Sequence, residues 1–161
     1  MEIERKWLVH PAAIPYDLNT LHFIRIRQAY ISFSPSVRIR QINNGEKNIL
    51  TVKRQTAYPG LANEESEYEV DSDLAAFLFS CTSGNIIIKT RYLNPLPSGL
   101  TEEIDIFSGA LEGLAYLEIE FPDIGQAKSY PSPEWVSKDV TEDLRYKNSS
   151  LARFGIPEAT I

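Results

Sequence analysis

Residues 36–55 have the sequence SVRIRQINNGEKNILTVKRQ, in which two runs of alternating apolar and polar residues flank the turn Asn43-Asn44-Gly45. Alternation with a period of two is typical of a β-strand that buries one face, because successive side chains point to opposite sides of the sheet. Asparagine and glycine accept the positive φ angles that a tight hairpin turn requires. We therefore predict a β-hairpin over residues 35–55.

The same alternation recurs along the chain, and turn residues separate the runs. It predicts eight antiparallel strands, near residues 1–9, 22–33, 36–43, 47–55, 64–71, 85–93, 101–107 and 115–122. Helices are predicted from Asp71 or Ser72 to Phe79, over residues 123–130, and from Thr141 to Phe154, before Gly155 and Pro157. The expected fold class is mainly β (α+β): an eight-stranded antiparallel β-barrel with a few covering helices.

Length and composition indicate a single domain over residues 1–161. The chain is 43% hydrophobic, which allows one sizeable core, and it is too short for two typical domains. Its net charge is -6 and its pI about 5.0, so we expect neither nucleic acid nor a membrane as a partner. The charged first residues and the lack of a long apolar run predict a soluble, cytoplasmic protein. The lone Cys81 is expected to be buried and reduced.

Charged residues of one sign lie two positions apart on most predicted strands, so each pair shares one face of its strand. A sheet with one solvated face explains alternation by itself. However, like charges this close repel each other unless a counter-ion or a cross-strand partner compensates. If these faces line the inside of a barrel, they form a charged tunnel. The carboxylates are Glu2, Glu4, Glu67, Glu69, Glu103, Asp105, Glu118 and Glu120, and the cations are Lys6, Arg38, Arg40, Lys53, Lys89 and Arg91.

A tunnel of this kind has a chemical use. Paired carboxylates are hard oxygen ligands of the type that Mg²⁺ and Mn²⁺ prefer. Arginine and lysine complement phosphate oxygens, arginine through its planar fork and lysine as a point charge. Phosphoryl transfer needs mainly positioning and neutralisation of charge, which these two sets of residues supply together.

The opening Glu2-Ile3-Glu4-Arg5-Lys6 resembles the ExExK signature of the CYTH superfamily, the triphosphate tunnel metalloenzymes. Further segments resemble blocks of that family in the family's order, and together they cover essentially the whole chain. These segments are Gln28–Ile31, Val37–Arg40, Leu50–Lys53, Glu67–Glu69, Lys89–Tyr92, Glu103–Asp105, Leu117–Phe121, and Asp139–Thr141 with Arg145-Tyr146.

The resemblance implies an eight-stranded tunnel that binds a triphosphate, and it implies roles by position. The implied metal ligands are Glu2, Glu4 and Glu120, with Glu118, Glu69 and Asp105 as weaker candidates. The implied phosphate contacts are Lys6, Arg38, Arg40, Lys53, Lys89 and Arg91, with Arg145 reaching the site from a C-terminal helix at one mouth. Tyr30 and Lys89 resemble a catalytic pair that helps to activate the attacking water in small bacterial members.

The first functional hypothesis is an inorganic triphosphatase, which converts tripolyphosphate and water to pyrophosphate and phosphate with Mg²⁺ or Mn²⁺. Class IV adenylyl cyclases and thiamine triphosphatases share the signature and are the enzymatic alternatives. The non-enzymatic alternative is a module that binds polyphosphate or a nucleotide. The expected partner is a small-molecule triphosphate, and a homodimer is expected by resemblance only.

Overall fold

Nine antiparallel strands and three α-helices form the computed structural model, which describes residues 1–158. The strands are β1 (Glu2–Leu8), β2 (His22–Phe33), β3 (Ser36–Ile42), β4 (Lys47–Gln55), β5 (Ala62–Glu69), β6 (Ser83–Pro95), β7 (Thr101–Ser108), β8 (Ala115–Glu120) and β9 (Lys138–Asp139). The helices are α1 (Ser72–Ser80), α2 (Ile124–Ser129) and α3 (Asn148–Phe154). The expected mainly β fold, and all eight expected strands, are confirmed.

The first eight strands close into a barrel in the order β5-β4-β3-β2-β6-β7-β8-β1. Closure depends on a short ladder in which Glu2 lies opposite Asn63 and Ile3 lies opposite Ala62. The rest of β1 pairs with β8 on one side and with β9 on the other. A strand of two residues has no alternation to detect, and β9 was therefore not predicted.

The hairpin predicted over residues 35–55 is confirmed. β3 and β4 pair from Ser36 opposite Lys53 to Ile42 opposite Lys47. Asn43, Asn44 and Gly45 all have positive φ angles, of 48°, 59° and 104°. Residue types that tolerate this conformation at low cost therefore set the register of the hairpin.

The outer face of β1 and β8 is apolar and is covered by α2 and the loop that follows it. Trp7 is fully buried there, and its Nε1 donates to Ser132 Oγ at 2.8 Å. Arg5 is also buried, and its guanidinium donates to the Ala127 carbonyl at 2.6 Å and to Asp139 Oδ2 at 2.6 Å. Carbonyl groups near a helix C-terminus attract a cation, so Arg5 fastens α2 to the barrel.

The first two helix predictions are confirmed, and each helix has an aspartate N-cap. Asp71 accepts a hydrogen bond from the Leu74 amide at 2.8 Å, and Asp123 accepts one from the Gln126 amide at 2.8 Å. Cys81 is a free cysteine directly after α1, but the expectation that it is buried is wrong, since it is exposed. In the described part of the chain, no helix is both long enough and apolar enough to cross a membrane.

The predicted helix from Thr141 to Phe154 is wrong in its first half. Residues 144–146 form a single 3-10 turn, Lys147 is extended with φ -64° and ψ 143°, and α3 begins only at Asn148. The reason is that the Tyr146 carbonyl accepts hydrogen bonds from Tyr116 Oη at 2.7 Å and from Lys6 Nζ at 3.2 Å. Bonds to the barrel thus replace the bond that would continue the helix.

Gly60 sets how closely the loop between β4 and β5 approaches this C-terminal segment. Its φ is +80°, and a Cβ atom added there would overlap the Thr141 carbonyl oxygen. Gly99 has a similar φ of +90°, but a Cβ atom there would meet nothing within 4 Å.

We expect Gly60→Ala to lower the free energy of unfolding by about 1–3 kcal/mol more than Gly99→Ala. Both variants place a side chain at a positive φ, and only the first also forces two backbone segments apart. Urea denaturation of the two variants and the wild type measures this difference. Equal destabilisation by the two variants would show that the loop at Gly60 can move away from Thr141 without lowering the free energy of unfolding.

Candidate active site

The like-charged faces of the strands meet inside the barrel. Antiparallel register places Glu4 opposite Glu120, Lys6 opposite Glu118, and Arg91 opposite Asp105. The inward side chains are withdrawn from solvent although they are charged, and Lys6, Arg38, Lys89, Asp105 and Glu118 are all buried. A cavity of about 580 Å³ opens from this interior towards the C-terminal segment. A barrel with its charges facing outward into solvent is therefore excluded.

Asp105 organises the cations of β6. Its carboxylate lies 2.7 Å from Lys89 Nζ, with both side chains fully buried, and it accepts two hydrogen bonds from Arg91, at 2.7 and 2.9 Å. Although burial favours the protonated acid, Arg91 and Lys89 hold the pKa of Asp105 well below its usual range. Both carboxylate oxygens of Asp105 already contact Lys89 or Arg91. Asp105 therefore neutralises these cations and has no oxygen left for a metal ion.

The amine of Lys89 is strongly perturbed. Burial lowers its pKa to about 7, the positive charges of Arg91 and Arg40 act in the same direction, and Asp105 opposes them. Nζ also donates to Asn148 Oδ1 at 3.2 Å, which ties this lysine to the start of α3. Lys89 is thus the buried lysine whose proton is held weakly near neutral pH.

Arg38 and Arg40 on β3 differ from the cations of β6, because no carboxylate pairs with either within residues 1–158. Arg38 donates to Thr51 Oγ1 at 3.2 Å, and its buried Nε has no hydrogen-bond partner among those residues. Arg40 Nε donates to Gln28 Oε1 at 2.7 Å. Burial, with Arg38 and Arg91 nearby, lowers the pKa of Arg40 to about 9. Two neighbouring guanidinium groups without counter-ions make this wall of the barrel a site for an anion.

Two further lysines line the cavity. Lys6 Nζ donates to the Tyr146 carbonyl and lies 4.8 Å from the centre of the Tyr116 ring. Lys53 Nζ lies 2.8 Å from Glu2 Oε1 and 3.3 Å from Glu65 Oε2. Burial and Arg38 would lower the pKa of Lys53, yet the carboxylates of Glu4 and Glu2 raise it above its ordinary value.

The C-terminal segment places one cation at the cavity and another outside it. Arg145 is exposed, and its guanidinium binds Asp143 at 2.6 Å and 2.9 Å, outside the residues that line the cavity. Lys147 lines the cavity instead. Burial lowers the pKa of Lys147, and the nearby charges of Lys6 and Lys53 lower it further. The position of Lys147 at the cavity could not be seen from the prediction of one continuous helix, because the extended backbone at Lys147 is what turns its side chain inward.

The carboxylates of β1 and β8 form the acidic side of the interior. Burial and the charge of Glu4 raise the pKa of Glu118, and burial and the charge of Glu2 raise that of Glu120. Glu118 Oε1 is buried without a hydrogen bond, with Arg91 Nη2 as its nearest ion-pair atom at 3.6 Å. Carboxylates that repel one another, and a buried acceptor without a donor, fit a hard divalent cation.

The carboxylates implied as metal ligands are divided among several strands and have different neighbours. Across the residues that the structure describes, no three acidic, histidine or cysteine side chains converge closely enough to hold an ion. Glu2 forms an ion pair with Lys53, and Glu4 lines the cavity. Glu69 lies apart from the others, exposed at the end of β5 and opposite Ile49.

Tyr30 lies in the cavity wall, with 3% of its surface exposed and its ring stacked on Phe33 at 5.9 Å. Among residues 1–158, no hydrogen bond joins Tyr30 to Lys89, the other member of the pair that the resemblance implies. Sequence reasoning missed Gln28 and Lys147. Gln28 could have been found from its place two residues before Tyr30 on one strand face, whereas Lys147 depended on the break in the helix.

Comparison with known proteins gives two relatives named inorganic triphosphatase. The relative from Nitrosomonas europaea is 37% identical over 94% of this chain and 96% of its own length. The relative from Acetivibrio thermocellus is 36% identical over 94% of this chain and 93% of its own length. No protein-family model matches the chain.

Solved structures agree with these relatives. The structure of an inorganic triphosphatase superposes with a TM-score of 0.66 at 35% identity, covering 94% of each chain. A putative adenylyl cyclase from Hippeastrum, described as having a dominant triphosphatase activity, superposes with a TM-score of 0.61. At 18% identity over 80% of this chain, that likeness shows the fold alone. The charged barrel and the identity along nearly its whole length show that this chain belongs to the inorganic triphosphatases of the CYTH superfamily.

Proposed function

We propose that this protein hydrolyses inorganic tripolyphosphate to pyrophosphate and phosphate, with Mg²⁺ or Mn²⁺ as cofactor. The observation that carries the proposal is the pair of guanidinium groups, Arg38 and Arg40, that lie inside the barrel without a carboxylate partner among the described residues. A polyanion supplies the missing negative charge. The names of the relatives support tripolyphosphate as that polyanion.

The cations divide into two groups with different tasks. Arg38 and Arg40 bind the phosphate chain directly, because their guanidinium groups have donors to spare. Lys6 and Lys147 reach it from the cavity wall near the C-terminal segment. The ion pairs of Lys53, Lys89 and Arg91 hold these side chains in place before substrate arrives, so that little reorganisation is needed during the reaction. Arg145 contributes no contact in this arrangement, and its predicted role stays a prediction.

The carboxylates that would hold the divalent cation are Glu2, Glu4, Glu118 and Glu120, and they would have to move towards one another to do so, because no three acidic side chains converge among the described residues. When bound, the cation neutralises phosphate oxygens and holds a water. Asp105 and Glu69 are less suited, because Asp105 is saturated by Lys89 and Arg91, and Glu69 is exposed at the strand end. Glu4 is the ligand whose loss should do the most damage, since it lies beside both the cavity and Glu120.

The hydrolytic step forms a bond between a water oxygen and the terminal phosphorus, and it breaks that phosphorus atom's bridging P–O bond. Pyrophosphate leaves with the electron pair of the broken bond, and one proton of the water must be accepted. Lys89 in its neutral form is the proton acceptor, and Tyr30 helps to position the water. A homodimer, which the family resemblance implied, and a cytoplasmic location, which the sequence suggested, stay predictions.

The first test is phosphate release from tripolyphosphate, ATP and thiamine triphosphate, each assayed with Mg²⁺, with Mn²⁺ and with chelator. We expect metal-dependent release mainly from tripolyphosphate, because the described interior offers charges for a phosphate chain. Release mainly from ATP or thiamine triphosphate would transfer the assignment to that substrate. Glu4→Ala should abolish turnover, whereas a module that only binds anions would be barely affected by it.

A second test concerns the unpaired arginines. We expect Arg38→Ala to lower kcat/KM for tripolyphosphate by about 100-fold, since a preorganised donor to the reacting phosphate is lost. Arg25→Ala is the matched control, because Arg25 is exposed on the outer face of β2. Its kcat/KM should stay within about twofold of the wild type. A similar loss in both variants would refute the assignment of the interior as the anion site.

A third test uses the pKa of Lys89. Burial lowers this pKa to about 7, so the amine is charged below pH 7 and neutral above it. If neutral Lys89 accepts the proton, kcat/KM rises with pH through about 7, because this parameter reports the ionisation of the free enzyme. Lys89→Arg stays charged and should lose this rise. Ionisation of the substrate affects both proteins equally, so identical profiles would eliminate Lys89 as the acceptor.

A further inference from the structure

We infer that Gln28 is a further phosphate-binding residue, whose side-chain amide donates to the same phosphate group that Arg40 binds. The inference rests on the proposed function, because it assigns an additional contact within the proposed anion site. Gln28 lies on β2 directly opposite Arg40 on β3, and it is fully buried.

The hydrogen bond to Arg40 determines which way the amide of Gln28 points. Arg40 Nε lies 2.7 Å from Gln28 Oε1. An arginine Nε–H can only donate, so the glutamine atom that faces it must be the carbonyl oxygen. The Nε2 group of Gln28 therefore points away from Arg40 Nε and keeps both of its hydrogens for another partner.

Within residues 1–158 that partner is missing. Gln28 Nε2 is buried and has no hydrogen-bond acceptor, and the same holds for Arg38 Nε on the neighbouring strand. Leaving a buried donor unsatisfied is costly, and native proteins rarely do so without a reason. Both unsatisfied atoms on β2 and β3 are donors, so the ligand that completes them must be an acceptor. Phosphate oxygens are acceptors of this kind.

Among residues 1–158, two buried side-chain oxygens have no donor: Glu118 Oε1, which faces the interior, and Asn48 Oδ1, which lies on the face of β4 that points away from it. Glu118 Oε1, on β8, belongs to the acidic side of the barrel. Donors without acceptors on β2 and β3, and an acceptor without a donor on β8, indicate that anion and cation sites occupy different walls. Gln28 falls on the anion wall.

The same geometry shows what Gln28 does for Arg40. By accepting from Nε, it holds the guanidinium plane and leaves the two terminal nitrogens for the substrate. Gln28 therefore has two effects on binding: it orients Arg40, and it donates a hydrogen bond of its own. The two effects can be separated experimentally.

The test is calorimetric binding of inorganic tripolyphosphate in the presence of chelator, which needs neither metal nor hydrolysis. Gln28→Met keeps the size of the side chain and removes its polar atoms, and we expect a Kd weaker by about 10-fold to 100-fold. Gln28→Glu keeps an acceptor for Arg40 Nε but replaces the donor with a negative charge, and it should bind at least as weakly. Thermal melts of both variants confirm that the barrel is folded.

Asn48→Leu is the matched control. Asn48 is another buried amide with an unsatisfied atom, but it lies on the face of β4 opposite to Thr51 and Lys53, and therefore points away from the barrel interior. This variant should alter stability and leave the Kd for tripolyphosphate unchanged. An equal loss of affinity in Asn48→Leu and Gln28→Met would overturn the inference, because the effect would then be general to buried amides.

Direct contact is separated from orientation in the Arg40→Ala background. If Gln28 touches phosphate, adding Gln28→Met to Arg40→Ala weakens binding further; if it acts only through Arg40, the second substitution has no effect and the inference fails. Failure of the proposed function looks different. Wild-type protein that binds tripolyphosphate without hydrolysing it, while Gln28→Met binds more weakly, would refute the activity and uphold the contact. No binding by the wild type would overturn the contact itself.

Discussion

Closure of the sheet between β1 and β5 is the constraint on which the rest of the structure depends. Two residue pairs, Glu2 with Asn63 and Ile3 with Ala62, join the first strand to the fifth. Because strands alternate, closing the sheet turns one face of every strand inward. Most of those faces carry two charges of the same sign, so closure brings together groups that would repel one another in the absence of partners of opposite charge.

Some of the inward charges are neutralised by partners of opposite sign and others are not. The unpaired charges are the ones that we assign to substrate binding. On β6 and β7, Asp105 neutralises Lys89 and Arg91 within a fully buried network. On β3, Arg38 and Arg40 have only uncharged partners in the described structure, Thr51 and Gln28. A buried network in which every charge is paired is rigid, whereas buried cations that lack a carboxylate partner can bind an anionic ligand. One wall therefore acts as the support and the other as the anion site.

The C-terminal segment joins these walls to the cavity mouth. The Tyr146 carbonyl accepts from Lys6 and from Tyr116, and Asn148 accepts from Lys89. These bonds come from a stretch that sequence patterns assign to one helix. The segment gives up helical hydrogen bonds for bonds to the barrel, and it thereby brings Lys147 rather than Arg145 to the cavity. Loss of local regularity at this point is what allows the segment to line the cavity.

The sequence by itself determined the eight strands of the barrel, the hairpin turn at Asn43-Asn44-Gly45, and most of the charges that face inward. These follow from local rules: side chains alternate along a strand, and few residue types tolerate positive φ. Only the tertiary structure decided which charges neutralise one another. It shows that Asp105 is paired with cations whereas Glu118 keeps an oxygen without a hydrogen bond, and that Gln28 accepts a hydrogen bond from Arg40. Such pairings join residues far apart in the chain, and strand order and register set them. No local pattern contains that information.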